Sequence, residues 1–477
     1  MCGILGYFPF GEVRNKERKN KEINIEAMKL IARGRDAFGM HGINENGLTC
    51  SSKLIGKIDG YKAMGVTNKC LDLAAKIVDE DGGRTWAFLA NARACPTTEY
   101  HGNTREEHAQ PYRRNGWHIV HNGTISNDKE LGFKTPSNID SESIAYLLGT
   151  LTEDPFYVED PLDAAYLLAS VFDEAMHKLK GSFAVIAVHE KVPGVVFYAT
   201  NYKPLYIHTS NNALIISSIG ETSENCVKVE PYTVHGMRTD KRELFHTSLY
   251  APRNRKVKQK ALMICSSGLD STVAASKLIE DGYDVTLMHY NYNCRASNPE
   301  IKAIHKIAEA LNVSLVIKDM SIYSASASPI LNHTDDIAQG ETGAEFAHEW
   351  VPARNLVMLS IATAYAEEHG FDIIGLGNNL EESGAYPDNE PEFIKMFNQM
   401  LPYAVADGKK LAVVSPVGNL MKHEIVALGL RIGAPMELTW SCYNNGETHC
   451  GACGPCYMRK KAFEINGEAD PVFKETK

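Results

Sequence analysis

The chain has 477 residues, 44% of them hydrophobic and 23% charged, which is enough apolar material for two to three domains of roughly 100–200 residues each. A formal net charge of −10 excludes a globally basic nucleic-acid binder but not a local basic channel, and no run approaches the roughly 18 consecutive apolar residues of a transmembrane helix. The charged stretch GEVRNKERKNKE at 11–22 excludes a signal peptide, so a cytoplasmic location is expected, the host's if the source is viral, and the odd count of 11 cysteines reads as thiols and metal ligands.

The chain opens MCGILGYF. A small second residue permits removal of Met1, and Cys2 would then carry the free α-amino group. That amine has a reference pKa of about 7.7–8.0, so it can act as a base beside its own thiol. The alternative is an ordinary buried cysteine that starts a strand. Short strand-like runs follow: ILGYF, TWAFLANA, WHIVHNGTIS, FAVIAVHE, GVVFYAT, PLYIHTS and ALIISS. Asn-Gly within HIVHNGTIS predicts a hairpin. Two helical stretches, near NIEAMKLIARG and SESIAYLLGTL, interrupt the strands, and the pattern predicts stacked sheets.

Splitting the side-chain amide of glutamine needs a nucleophile, donors for an oxyanion and two charges to hold the amino-acid head group. Cys2 is the candidate nucleophile. Asn122 and the Gly123 N–H, at the tip of the predicted hairpin, are candidate oxyanion donors. Arg93, at a strand end, can fork onto a carboxylate, and Asp140 can take the ammonium. MCGILGYF, ARGRDAFGMHG, NARA, AQPY, HNGTIS, IDSESIAYLL, LKGSFAVIAV and NYKPLYI resemble, in order and spacing, the class II (N-terminal nucleophile, Ntn) glutamine amidotransferases. The resemblance covers roughly residues 1–240. It implies an α+β Ntn fold, an αββα sandwich that releases ammonia from glutamine, with Cys2, Arg93, Asn122, Gly123 and Asp140 on functional positions. Where many members carry Thr-His after the arginine, this chain has CPTT at 95–98, which implies a differently built glutamine pocket on that side.

The basic, proline-containing YAPRNRKVKQK reads as a linker, giving an amidotransferase domain at 1–245, a linker at 246–260 and a second domain at 261–477 with a zinc tail. In the second domain ALMIC, DVTLMHY, SLVIKDM, DIIGLG and AVVSPV alternate with helical patterns, which predicts a parallel α/β sheet covered on both faces. ALMICSSGLDSTVAAS is a strand, a Ser/Gly-rich turn and a helix. It places Ser266, Ser267, Gly268, Leu269, Asp270 and Ser271 where an anion binds at a helix start. No lysine follows, so the turn is not a Walker A loop. It resembles the PP-loop SGGxDS of the ATP pyrophosphatases (adenine nucleotide alpha hydrolase-like), with Ser267 in place of a glycine. The resemblance implies ATP with Mg2+ and adenylation of a substrate oxygen. Cys442, Cys450, Cys453 and Cys456, spaced C-x7-C-x2-C-x2-C, suit a structural zinc.

VPARNLVMLSIATAYAEEHG, ESGAYPDNEPEFI, SPVGNLMKHEIVALG and TWSCY resemble the 7-cyano-7-deazaguanine synthases, or QueC, from about 261 to about 465. The resemblance implies a 7-deazaguanine pocket at Arg354, Asn355, Tyr386, Pro387, Asp388, Glu392 and Phe393. Asn389 and Glu390 stand where the family has Cys-Arg, a charge reversal that points away from a free carboxylate substrate, unless it is neutral drift. The fusion as a whole resembles the GAT-QueC proteins of archaeosine formation. It implies that glutamine-derived ammonia adds to the 7-cyano group to give a formamidine, passing between domains through a shielded tunnel. The expected partners are glutamine and a 7-deazaguanine base, free or in tRNA or DNA, with no membrane; a homo-oligomer stays open. Three further readings remain: a glutamine-dependent synthase that takes 7-carboxy-7-deazaguanine through the amide to the nitrile with ATP, an asparagine synthetase-like amide ligase, and an inactive binder of deazaguanine-containing nucleic acid.

Overall fold

Antiparallel pairing joins the strands before residue 250, and parallel pairing joins those after it. The chain divides accordingly into two compact units, Met1–Ala251 and Pro252–Lys477. The computed structural model describes residues 2–10, 16–94, 105–152, 160–220, 225–250, 257–334, 336–340, 349–383, 386–406 and 409–473. No helix among them is long and apolar enough to cross a membrane.

In the first unit the early strands are β1 (Gly3–Pro9), β2 (Ala37–Asn44), β3 (Thr49–Ile55), β4 (Thr85–Arg93), β5 (Tyr112–Arg114) and β6 (Trp117–Ile125). The later ones are β7 (Gly181–His189), β8 (Val195–Thr200), β9 (Tyr206–Thr209), β10 (Ala213–Ser217), β11 (Val227–Lys228), β12 (Thr233–Arg238) and β13 (Glu243–Ser248). They form two sheets, ordered β11-β9-β10-β1-β4-β2-β3 and β13-β12-β8-β7-β6-β5. Helices α1 (Lys16–Lys29) and α2 (Gly60–Asp81) cover one face of the first sheet, around Leu5, Phe38, Met40 and Phe88. Helices α3 (Asp140–Leu151) and α4 (Pro161–Lys178) cover one face of the second, around Ile119, Phe172 and Val185. The other faces meet across Ile4, Leu89, Val120 and Ile186. Strands buried on both sides need no polar alternation, which is why β1 and β4 are buried at every residue.

Two sequence expectations need correction here. Asn122-Gly123 is not a hairpin tip: β6 runs straight through it, paired with β7 from Trp117↔His189 to Ile125↔Gly181. Gly123 is required for another reason. Its φ is +152°, and a Cβ there would run into the Ser182 carbonyl oxygen. Among the described residues the unit has four named helices, α1 to α4, where two helical stretches were expected.

The second unit holds β14 (Lys260–Ile264), β15 (Asp284–Asn291), β16 (Ser314–Asp319), β17 (Ile373–Gly375) and β18 (Ala412–Val414), all parallel, in the order β16-β15-β14-β17-β18. This is the expected parallel α/β sheet. Helices α5 (Leu269–Glu280) and α6 (Ser297–Leu311) pack on one face, around Val273, Leu287 and Ile304. Helices Arg354–His369 and Pro391–Ala404 pack on the other, around Met288, Leu359 and Phe397. From β14 the chain moves outward to β15 and β16 on one side, then returns to β17 and β18 on the other. The carboxyl end of β14 is therefore a topological switch point, where open α/β sheets form their ligand crevice. Of the linker expected at 246–260, residues 246–248 belong to β13 and Lys260 to β14, while 251–256 lie outside the described residues.

Candidate functional site

In the first unit, β1 and β4 pair with Gly3 opposite Ala92, which brings Cys2 beside Arg93 at the end of β4. The Cys2 Sγ lies 4.0 Å from the Ala94 carbonyl oxygen. Burial pushes its thiol pKa up, the Arg93 guanidinium pulls it down and the Asp140 carboxylate pushes it up. Arg93 is buried, and its Nη1 has no hydrogen-bond partner among the described residues. Alternation along β6 puts Asn122 on the face of Val120, between the sheets. Asn122 is fully buried and neither atom of its amide has a partner among the described residues. An orphaned buried amide costs about 1–3 kcal/mol, so it marks a place for a polar ligand. Asp140 caps the group: its Oδ2 accepts from the Ile125 N–H at 2.7 Å and ties α3 to the end of β6. A thiol, a guanidinium and a carboxylate thus stand close enough to act on one another's charge. The CPTT segment at 95–98 lies outside the described residues.

In the second unit the loop after β14 leads into α5. Ser267 takes φ +69°, the left-handed conformation that suits the glycine of the PP-loop pattern. Its Oγ is buried without a partner. Gly268 N–H donates to Ser266 Oγ at 3.3 Å, Thr272 Oγ1 donates to Gly268 O at 2.8 Å, and Trp440 N–H donates to Ser267 O at 2.9 Å. The loop therefore curls around the free N–H groups of the α5 start, a fit for phosphate. Asp270, in the first turn, pairs with Lys422 and accepts from Asn379 Nδ2 at 3.0 Å. A cavity of about 210 Å³ opens at this loop, lined also by His289, Tyr292, Glu300, Arg354 and Asn355. His289 Nδ1 donates to Cys265 O at 3.0 Å, and burial holds its imidazole below the usual range. Its Nε2 is buried with no partner among the described residues, an acceptor in wait.

The residues drawn from the QueC resemblance separate. Arg354 and Asn355 line the cavity. Asp388 stands behind them, its Oδ2 accepting from Asn355 N–H at 3.0 Å, and Asn389 Oδ1 accepts from Asn355 Nδ2 at 2.7 Å. Tyr386 stacks on Trp350 at 6.0 Å, and Pro387 opens the short turn that carries Asp388. Glu392 is exposed and paired with Lys395, while Phe393 packs into the core beside Phe397. Glu390, whose charge reversal argued against a carboxylate substrate, sits before helix Pro391–Ala404 and is not among the described residues lining the cavity. That argument loses its geometric footing.

The tail cysteines cluster. Cys450 and Cys456 Sγ are 4.0 Å apart, Cys453 and Cys442 Sγ are 3.9 Å apart, and all four sulfurs lie within 4.8 Å of one another. A zinc–sulfur bond of about 2.3 Å gives a tetrahedral edge of about 3.8 Å, so the four thiols fit zinc. Backbone N–H groups of Asn444 and Cys450 point at Cys442 Sγ, each at 3.4 Å, as thiolate charge requires.

Sequence reasoning missed Glu300, His289, Lys422 and Asn379. Only Lys422 left a local mark, at the helix start in NLMKHEIV.

The sequence model described as "Queuosine biosynthesis protein QueC" matches residues 260–467. A protein of Sulfolobus acidocaldarius named 7-cyano-7-deazaguanine synthase is 41% identical over all of both chains. One of the same name from Saccharolobus solfataricus is 40% identical over 99% of both. A third, from Methanothrix thermoacetophila, is 42% identical over 45% of this chain and 97% of its own length. These relatives are named for making the nitrile, so the expectation that this chain consumes a nitrile to form a formamidine is overturned. Ammonia adds to a nitrile without activation, whereas a carboxylate gives up oxygen only when ATP first makes it a leaving group.

Proposed function

The chain belongs to the 7-cyano-7-deazaguanine synthase family, and from that premise we propose a glutamine-fed synthase that converts free 7-carboxy-7-deazaguanine to the nitrile. The observation that carries this reading is full-length similarity to synthases, with an intact anion-binding loop at the sheet's switch point. In the second unit the loop Ser266–Ser271 holds the ATP phosphates, with Mg2+ travelling on the nucleotide. The substrate carboxylate attacks ATP, pyrophosphate leaves, and ammonia displaces AMP to give the amide. A second adenylation, now on the amide oxygen, and loss of AMP give the nitrile. Zinc on Cys442, Cys450, Cys453 and Cys456 holds the tail and enters no step.

The first unit supplies the ammonia as an Ntn-type glutaminase. Cys2 attacks the glutamine side-chain amide, Asn122 and the Gly123 N–H receive the oxyanion, Arg93 takes the α-carboxylate and Asp140 the α-ammonium. The orphaned amide of Asn122 and the unpartnered Nη1 of Arg93 support these roles.

The test uses 7-carboxy-7-deazaguanine, ATP and either glutamine or ammonium, with product read by mass spectrometry. Wild-type protein should form nitrile from both nitrogen sources. Cys2→Ala should lose glutamine-driven product by more than about 100-fold and keep ammonium-driven product. Loss of both would make Cys2 structural, and an intact mass that retains Met1 on glutamine-active protein would remove the α-amine as its base.

A further inference from the structure

The cavity at the head of the parallel sheet contains a carboxyl that the ATP loop does not use. Glu300 lies in the first turn of α6 and lines the cavity together with Tyr292, Arg354 and Trp440. The other carboxylate lining it, Asp270, is engaged by Lys422 and Asn379. Arg459, a third cation lining it, is engaged by Asp470. Glu300 receives a 3.6 Å contact from Cys294 Sγ, and Arg354 donates to the Tyr292 hydroxyl at 3.4 Å. Neither contact neutralises a charge. The two groups nevertheless feel each other: burial pushes the Glu300 carboxyl up to about 7, against a downward pull from Cys294 and the Arg354 guanidinium. A carboxyl held at such cost without a strong donor is set for a ligand that brings donors.

We propose that Glu300 and Arg354 read the amino-lactam edge of the 7-deazaguanine ring, a reading that rests on the synthase assignment above. This edge presents two adjacent donors, N1–H and the 2-amino group, and next to them one acceptor, the 6-oxo oxygen. One carboxylate accepts both donors, and a neighbouring guanidinium donates to the oxygen. Tyr292 and Trp440 add flat apolar surface for the ring. Glu300 is then a specificity residue: it selects a 2-amino purine-like base and plays no part in handling ATP.

Calorimetric titration of the full chain with 7-cyano-7-deazaguanine and with its 2-deamino counterpart, 7-cyano-7-deazahypoxanthine, tests this. Wild-type protein should favour the amino compound by about 10- to 100-fold, the worth of a hydrogen bond to a charged group. Glu300→Gln should bring the two within about threefold, with ATP binding unchanged as the check on folding. Equal binding of both bases by wild-type protein would overturn the proposal without any variant, and so would an undiminished ratio in Glu300→Gln. Wild-type protein that binds ATP but neither base would bring down the synthase reading and this proposal together.

Discussion

At the scale of single residues, the first unit keeps several histidines uncharged by burying them. His189 is 2% exposed, packs edge-on against Trp117 at 5.1 Å, and its Nε2 lies 3.2 Å from the Asn115 carbonyl oxygen. Burial outweighs that hydrogen bond and holds its pKa to about 4. An unfolded histidine titrates near 6.5. Between these values the unfolded chain binds more protons than the folded one, so stability rises with pH across the window and falls on acidification. The full shift corresponds to about 3 kcal/mol. Chemical denaturation of wild type and His189→Gln from pH 7 to pH 4 should show a steeper loss in the wild type. Parallel curves would show that His189 does not set the acid limit. Glu190 acts in the same direction at lower pH. Burial would raise it, but hydrogen bonds from His118 and Arg113 bring it to about 2, below the roughly 4.3 of an unfolded glutamate, so its contribution is full above about pH 4.3 and is lost as the pH falls from there through about 2.

Among elements, the cysteine tail is the most consequential for the loop of the parallel sheet. Helix Gly454–Ile465 starts beside Cys453 and carries Arg459, whose buried guanidinium takes Asp470 at 2.7 and 3.0 Å and the Met436 carbonyl at 2.8 Å. Trp440, two residues before Cys442, holds the Ser267 carbonyl. Chelation, or Cys453→Ser, should therefore lower the second unit's melting temperature and weaken ATP binding together. Unchanged ATP affinity after metal removal would uncouple tail from loop. The elements also explain what was legible in the sequence. The parallel strands are short apolar runs between helical patterns, and all five were readable, the exposed edge strand β16 included. The Asn-Gly of β6 misled because a turn signal is local, whereas inter-sheet burial is decided by partners far along the chain. The turn between β14 and α5 was readable because its Ser/Gly residues are consecutive. Glu300, His289, Lys422 and Asn379 converge from four separate segments, and no spacing rule links them.

For the molecule as a whole, each unit has its own sheets and its own cores. The Methanothrix relative matches 45% of this chain over nearly its whole length, a size close to that of the second unit. Residues 252–477 made alone should accordingly form nitrile from ammonium and fail with glutamine. Activity with glutamine from that fragment would place the nitrogen-releasing chemistry outside the first unit. The loop at the switch point of β14 carries a wider consequence. On the proposed reading phosphate is held there by main-chain N–H groups whose positions follow from strand order, so most substitutions would leave nucleotide handling untouched. On the same reading the choice of base would depend on a few side chains facing the same cavity. A lineage could exchange those and acquire a new heterocycle while inheriting the energy-coupling chemistry unchanged, which makes the scaffold conservative in its fuel and adaptable in its cargo.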